Sequence, residues 1–204
     1  MARGTYKTEA IVLRSLRFSE ADRILHLYTR ERGRIGAIAK GIRKTKSRFG
    51  ARLEPLSHVE LILHEGSGEL QTVTGVSLLA SHHTTRENPY RLRAGLIGAE
   101  AMLRLYGEPE ANPKAFEALA RFLDLLDEAP AAERPELDPL ALSFQLKLLW
   151  LSGYLPHVTA CVECGADDSL AGFSARAGGA VCASHSAGAF AVSREGLAGI
   201  EELL

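Results

Sequence analysis

The first 80 residues alternate between apolar and polar positions, with the period of two that is typical of β-strands. Between Arg23 and Thr29, for example, Leu25 and Leu27 face one side while His26 and Tyr28 face the other. Five such segments predict strands, at Thr5–Ser15, Arg23–Thr29, Ile35–Ala39, His58–His64 and Leu70–Leu79. Five short antiparallel strands without a helical period indicate a small closed barrel. An OB-fold, a barrel that binds single strands, is the first interpretation, and an SH3-like barrel stays open as the alternative.

Residues 81–87 are polar and show no period, so we interpret them as a linker between two domains, 1–80 and 88–204. Beyond the linker three helices are predicted. Each begins with an Asn or Asp at the N-cap and a proline at the first helical position, where its missing N–H costs nothing. Their starts are Asn88-Pro89, Asn112-Pro113 and Asp138-Pro139, and their ends lie near Tyr106, before Ala129-Pro130, and at Gly153.

The third predicted helix, PLALSFQLKLLWLSG, is apolar nearly all round and is therefore expected to be a buried central helix. Phe144 and Trp150 are interpreted as core residues of it. Gly95 and Gly98 in the first predicted helix permit a close helix crossing. The predicted fold class is α+β and multidomain: a five-stranded OB-fold β-barrel followed by an all-α helical domain.

Basic residues are concentrated between Arg30 and Arg52, where nine Lys and Arg stand against the single acid Glu31, in a chain of net charge -1. Residues 1–52 carry 14 basic and 4 acidic side chains, a net charge of +10, and residues 53–204 carry 10 and 21, a net charge of -11. Positive charges in a run with so few acids repel one another unless an anion lies against them. We therefore predict nucleic acid as the partner, and a solvated loop is the alternative. The candidate DNA-binding residues are Arg32, Arg34, Lys40, Arg43, Lys44, Lys46, Arg48 and Arg52. Phe49 either stacks on a base or anchors the loop in the core.

The three cysteines lie in two C-x-x-[CH] motifs, Cys161–Cys164 and Cys182–His185. A gap of two residues lets both side chains of one motif reach a single metal ion, and two motifs close a tetrahedron. Thiolates with an imidazole select zinc over magnesium or calcium. We therefore predict one structural zinc ion in a segment at about 157–190, with His157 as a rival fourth ligand and three reduced, buried cysteines as the alternative.

Several function classes find no support in the sequence. There is no G-x-x-x-x-G-K-[ST] phosphate loop for ATP hydrolysis and no dinucleotide-binding glycine motif. No catalytic constellation is predicted, so the protein is expected not to be an enzyme. No apolar run reaches the 18 or so residues of a membrane span, and the N-terminus lacks a signal peptide, so a cytoplasmic, nucleoid-associated protein is expected.

With strands, basic loop, helices and cysteine motifs in this order, the chain resembles the RecO family of bacterial recombination mediators over nearly its whole length. The segment from Thr29 to Arg48, TRERGRIGAIAKGIRKTKSR, is similar to the family's T…G…AKG pattern followed by basic residues and a serine. Upstream, SEADRIL at Ser19–Leu25 is similar to the motif that enters the family's second strand.

The resemblance implies an N-terminal OB-fold, a helical domain and a small zinc-binding insertion. It also implies binding of single- and double-stranded DNA, annealing of complementary strands without ATP, and loading of RecA recombinase onto strands coated by single-strand-binding protein. Implied partners are RecR and the acidic tail of the single-strand-binding protein, for which Arg91, Arg93 and Arg104 are a candidate surface. Zinc-bearing members often have cysteine where this chain has His185, and the family usually continues beyond the position of Leu204. A zinc-containing nucleic-acid enzyme, such as a metal-dependent nuclease, is the alternative function.

Overall fold

Five strands close into a barrel in the computed structural model, which describes residues 4–66, 68–107, 109–128 and 138–203. The strands are β1 (Thr5–Arg17), β2 (Arg23–Thr29), β3 (Gly33–Ala39), β4 (His58–His64) and β5 (Gln71–Ala80). Their order around the barrel is β1-β2-β3-β5-β4, and β4 pairs with β1 to close it. The β3–β5 pair is parallel and the other neighbours are antiparallel. This five-stranded closed arrangement is that of an OB-fold, in agreement with the predicted barrel.

The barrel core follows from the alternation of apolar residues along each strand. In β3, for example, Ile35, Ala37 and Ala39 are buried while the residues between them are partly exposed. These small side chains share the core with larger leucines of β2 and β4. The register of β1 against β2 shifts at an irregularity between Val12 and Arg14. Such a bulge bends a strand, and β1 pairs with both β2 and β4.

The connection between β3 and β4 carries the basic residues and is anchored from within. Phe49, which is 1% exposed, and Leu53 belong to the core cluster of the barrel. A short 3-10 helix, Gly50–Leu53, follows Phe49 directly. Of the two interpretations of Phe49, the structure supports the core anchor, and the side chain is not available for stacking on a base.

The predicted helices begin at the three Asx-Pro pairs. They are α2 (Pro89–Leu105), α3 (Pro113–Glu128) and α4 (Pro139–Leu151). The side-chain oxygen of Asn88 accepts the N–H of Arg91 at 3.1 Å, and that of Asn112 accepts the N–H of Ala115 at 3.0 Å. The predicted stop at Ala129-Pro130 lies outside the described residues.

The segment predicted as a linker contains a short helix, α1 (His83–Glu87). The N–H of Thr85 in α1 donates to the Asp127 carboxylate at 2.6 Å. His82, expected in a linker or at a surface, is 4% exposed and lies 2.8 Å from the Leu56 carbonyl oxygen and 3.0 Å from the Asp124 carboxylate. These partners are 26 to 42 residues away in sequence, so local polarity alone gave no sign of them.

The helices pack closely where glycine allows it. A Cβ atom on Gly98 of α2 would lie 2.5 Å from a ring carbon of Phe122 in α3, so only glycine fits at this crossing. The Phe122 ring in turn stacks on Phe144 of α4, with centroids 4.4 Å apart. This bears out the expectation that Gly98 permits a close crossing.

Helix α4 is apolar on all sides but is not buried on all sides. Ala141, Phe144 and Leu148 are buried, whereas Trp150 is 49% exposed and has Lys147 over its ring at 4.1 Å. The prediction of a buried central helix is therefore wrong in placing Trp150 in the core, whereas Phe144 is a core residue as predicted. A helix that is apolar all round has no sequence signal for which side is covered.

The chain separates into two compact units, residues 1–144 and 145–204. The second contains a three-stranded antiparallel sheet, in the order β7-β6-β8, and a final helix. Its elements are β6 (Leu170–Ser174), β7 (Gly179–Cys182), β8 (Phe190–Ala191) and α5 (Arg194–Leu203). The sheet was not predicted because its strands have two to five residues, too few to establish a period.

In the described part of the chain, no helix has the length and apolarity that crossing a membrane requires.

Candidate nucleic-acid interface and metal site

The connection from β3 to β4 presents a group of cations at the barrel surface. We call residues 40–52 the basic loop. Five of its cationic side chains are exposed: Lys40, Arg43, Lys44, Lys46 and Arg48. The loop therefore combines an anchored interior, supplied by Phe49, with a charged exterior.

Hydrogen bonds tie the basic loop to the turn between β1 and β2. The Arg43 guanidinium donates to the carbonyl oxygens of Ser19 at 3.2 Å and Glu20 at 2.9 Å, and the Arg43 N–H donates to the Ala21 carbonyl at 3.0 Å. The N–H of Gly41 donates to the Asp22 carboxylate at 2.8 Å. These bonds fix the backbone of a segment whose charges repel one another. The turn had no role in the predicted site, although Ser and Asp are residues that commonly fix turns.

Besides Arg43, three further predicted DNA-binding residues already have partners within the protein. Arg52 donates to the carbonyl oxygens of Phe49 at 2.9 Å and Val76 at 3.2 Å, and so holds the end of the basic loop on the barrel. Arg34 donates to the Leu103 carbonyl at 3.4 Å. Arg32 forms an ion pair with Glu65 and its guanidinium also lies 3.7 Å from the centroid of the Tyr6 ring.

The lysines of the basic loop differ from these three arginines because their side chains have no such partner among the described residues. Lys40, Lys44 and Lys46 are exposed and form no ion pair with any residue that the structure describes. The Arg48 guanidinium lies over the Phe49 ring in a cation–π arrangement, with 4.9 Å to the centroid, and forms no ion pair within the described part of the chain. Cations that are exposed and unpaired can approach phosphates without breaking an internal bond, so these side chains suit an anionic polymer best.

Two arginines lie near His26 on the neighbouring strands, and one of them, Arg14, pairs with Glu100 at 2.6 Å. His26 of β2 lies opposite Arg14 of β1 in the strand register. Burial, together with the positive charges of Arg34 and Arg14, lowers the pKa of His26.

The second unit brings together the residues of the predicted metal site. One ligand atom from each of Cys161, Cys164, Cys182 and His185 lies within 4.8 Å of all the others. The Sγ atoms of Cys164 and Cys182 are 3.8 Å apart, and Nδ1 of His185 lies 3.2 Å from Cys182 Sγ and 3.7 Å from Cys161 Sγ. The rival ligand His157 is not a member of this group among the described residues.

Local structure explains how the four side chains meet. The N–H of Gly165 donates to the Cys161 carbonyl at 2.8 Å, and Gly165 has φ +79, so the first motif is a tight turn that requires glycine. Cys182 ends β7, and the 3-10 helix Ala183–His185 turns the histidine back towards it.

The distances fit a tetrahedral ion. With Zn–S bonds of about 2.3 Å, two thiolates on one zinc ion lie about 3.8 Å apart, which is the separation of the Cys164 and Cys182 sulfur atoms. Three thiols with one imidazole are donors that favour zinc. Four protein ligands leave no open position for water, as in structural rather than catalytic zinc sites.

The electrostatics of the cluster favour the thiolate, the form that binds metal, at Cys161 and Cys182. At Cys164 a backbone hydrogen bond from Ala166 lowers the pKa, but the interaction with Cys161 and burial outweigh it and raise the pKa. Burial raises the pKa of the Cys161 thiol, but hydrogen bonds from backbone N–H groups outweigh it and lower the pKa to about 6. Burial also raises the pKa of Cys182, and the hydrogen bond with His185 helps to lower it below its usual value. The bonds with Cys182 and Cys161 raise the pKa of His185 in return.

The cationic surface expected on α2 is partly used internally. Arg91 donates to the Asp127 carbonyl at 2.9 Å, and Arg104 forms an ion pair with Glu100 at 2.8 Å. Arg93 is exposed. The three arginines therefore do not form a uniform free surface, and their role in binding an acidic peptide stays a prediction.

Comparison with known proteins covers both parts of the chain. Residues 1–82 match the family model "Recombination protein O N terminal" and residues 86–204 match "Recombination protein O C terminal". The DNA repair protein RecO of Rubrobacter xylanophilus is 42% identical over 179 residues, which are 87% of this chain and 70% of that protein. The DNA repair protein RecO of Bifidobacterium animalis subsp. lactis is 38% identical over 182 residues, 87% of this chain and 72% of that protein. The chain therefore belongs to the RecO family and has a role in DNA repair and recombination.

Proposed function

We propose that this chain is a non-catalytic DNA-binding mediator that binds single- and double-stranded DNA and anneals complementary strands without ATP. The observation that carries the proposal is the set of exposed lysines, Lys40, Lys44 and Lys46, on an anchored loop of an OB-fold barrel. Arg48 extends the same surface, and so does Arg43, which stays exposed although its guanidinium also bonds to the turn between β1 and β2. Arg32, Arg34 and Arg52 have a mainly supporting role, because their guanidinium groups are engaged within the protein.

Annealing needs no nucleotide hydrolysis if charge neutralisation supplies the driving force. Each cation that contacts a phosphate releases a condensed counterion, and a cationic loop reduces the repulsion between two strands brought together. Phosphate contacts carry no base information, so this function is independent of sequence. We include in the proposal the loading of RecA onto strands coated by single-strand-binding protein, with RecR and the acidic tail of that protein as partners.

Zinc has a structural role in this proposal. Cys161, Cys164, Cys182 and His185 would hold one ion, which would stabilise the second unit by cross-linking the turn before the sheet to the end of β7. None of these side chains is needed for the contact between the basic loop and DNA. The metal and the DNA surface are thus separable by mutation.

The salt dependence of DNA binding tests the basic loop. If about four of its cations contact phosphates of a single strand, the slope of log K against log salt is near -3, at about -0.7 for each contact. Lys44→Ala with Lys46→Ala removes two contacts and should flatten the slope by about 1.4. Fluorescence anisotropy with labelled oligonucleotides at several salt concentrations measures this. Binding should weaken alike for all base sequences.

A matched control removes two charges elsewhere. Lys114 and Arg121 are exposed on α3, and Lys114→Ala with Arg121→Ala should leave the slope unchanged. Neither double variant should alter the free energy of unfolding by more than about 1 kcal/mol, since exposed charges contribute little stability. A slope that stays the same in the Lys44 and Lys46 variant, with the fold intact, would move the DNA site away from the basic loop.

A further inference from the structure

We infer that Phe18 is a base-stacking site that gives the barrel a preference for single strands over duplexes. The inference rests on the proposed function, because it assigns a second kind of contact to the same DNA surface. Phe18 stands between β1 and β2 and is 59% exposed. A single exposed apolar side chain is ordinary in any protein. Three further observations distinguish this one.

First, the turn that carries Phe18 is ordered by its own hydrogen bonds. The Phe18 N–H donates to the Asp22 carbonyl at 3.2 Å, and the Asp22 N–H donates to the Ser19 hydroxyl at 3.2 Å. The exposure of the ring is therefore not that of a loose loop. Because the backbone that carries the ring is already ordered, less conformational entropy is lost when a base stacks on the ring.

Second, this turn is bonded to the basic loop. The Arg43 guanidinium contacts the carbonyl oxygens of Ser19 and Glu20, the two residues that follow Phe18. The Asp22 carboxylate accepts the Gly41 N–H, next to Lys40. A strand whose phosphates lie along the basic loop therefore has its bases within reach of the turn. Glu20 is the one exposed acid of the turn, and the cations of the basic loop outnumber it.

Third, Phe18 continues an apolar row on the outside of the barrel. Leu16, near the end of β1 and two residues before Phe18, is 44% exposed. Across the sheet Leu16 pairs with Ile24 of β2, which pairs with Ile38 of β3. Apolar surface bordered by cations matches a single strand, which offers base faces together with phosphates.

A duplex cannot use this site in the same way. Its bases stack on one another inside the helix, and only phosphates and groove edges reach a protein surface. The basic loop binds both forms of DNA through phosphates, whereas Phe18 contacts a base only when the base is unpaired. Phe18 therefore sets the preference for single strands, and the loop cations set the overall affinity.

Substitution of Phe18 tests the inference on the full chain, with an oligothymidine strand and a mixed-sequence duplex as probes. Phe18→Ala should weaken binding of the single strand about tenfold, the loss of one stacked base. It should leave duplex affinity and the salt slope unchanged, because no phosphate contact is removed. Phe18→Trp should retain single-strand affinity, and its fluorescence should be quenched by the oligonucleotide more strongly than that of the wild type, whose single tryptophan is Trp150.

The matched control is Phe190→Ala, which removes an even more exposed ring, at 69%, from the second unit and should leave both affinities unchanged. Unchanged single-strand affinity in Phe18→Ala, while the lysine double variant still flattens the salt slope, would overturn the stacking site and leave the proposed function standing. Equal weakening of both probes would also overturn it, as a structural effect on the loop. A wild-type chain that binds neither probe would overturn both proposals.

Discussion

At the scale of single residues, Glu9 is the centre of a polar network that connects β1, β4 and the turn after β2 with α3. Its carboxylate accepts hydrogen bonds from Arg30 at 2.8 Å and His58 at 2.7 Å, and Arg30 also pairs with Glu117 of α3 at 2.9 Å. Burial raises the pKa of Glu9, but the bonds from Arg30 and His58 outweigh it, and the pKa lies below its usual value of 4.5. Because the folded state lowers this pKa, the stabilisation is present above pH 4.5 and is lost as the pH falls below it.

Glu9→Gln should therefore lower the free energy of unfolding by about 1 kcal/mol at pH 7, and the difference from wild type should shrink towards pH 3. Urea denaturation at the two pH values measures this. Glu100→Gln is the control, since Glu100 also bridges two arginines but in a more exposed position, and its effect at pH 7 should be smaller. A loss that is the same at pH 3 and pH 7 would show that the Glu9 charge is not the cause.

At the scale of elements, the features predicted best from the sequence are those determined by neighbouring residues in the chain. The Asx-Pro pairs determine where three helices begin, because the capping group and the proline are adjacent in the chain. The partners of His82 and α1 are 26 to 42 residues away, and the sheet of the second unit has strands of two to five residues. In the candidate site, charge alone identified the loop cations. It could not show that Arg34 and Arg52 bond to carbonyl oxygens or that Phe49 points into the core.

The metal-binding element permits a prediction that is independent of DNA. Purified chain should contain one zinc ion, and Cys182→Ser should lose it, since a hydroxyl is a poor substitute for a thiolate ligand. The loss should raise hydrogen exchange in residues 157–190, because metal binding and folding are coupled in small sites. Single-strand affinity should stay within about twofold of wild type, because we propose that the phosphate contacts belong to the basic loop. Metal analysis and hydrogen exchange provide the two measurements.

His185→Cys is the control for this element. It converts the ligand set to four cysteines, which also bind zinc tetrahedrally, and it should retain the ion. If reductant-protected wild-type chain contains no zinc, or if Cys182→Ser retains it, the four residues are not its ligands.

At the scale of the whole molecule, the two parts of the sequence carry opposite net charges. This distribution favours the proposed mediator over the alternative function of a nuclease. Residues 1–52 carry +10 and residues 53–204 carry -11, so attraction to DNA is concentrated in the barrel. We expect complementary strands coated by single-strand-binding protein to anneal at the same rate with and without ATP. The Lys44 and Lys46 double variant should anneal more slowly.

The same reaction with labelled DNA and added Mg²⁺ or Zn²⁺ should release no shorter fragments. The double variant of Lys114 and Arg121 serves again as the control, and its annealing rate should equal that of wild type. Cleavage that disappears with Cys182→Ser would favour the nuclease and contradict a purely mediating role.

The closure of the barrel has a consequence for biosynthesis. β1 pairs with β4 across about 50 residues, as in Ala10 with Val59, and β3 pairs with β5 through Ala37 and Gln71. Contacts so distant along the chain form late, because the intervening segment must first be made and its loop entropy overcome. The basic loop lies inside this segment and is anchored through Phe49 in the core. A ribosome-bound chain therefore cannot order the basic loop until about 80 residues have emerged. Until then the loop's lysines and arginines are not supported by the folded barrel.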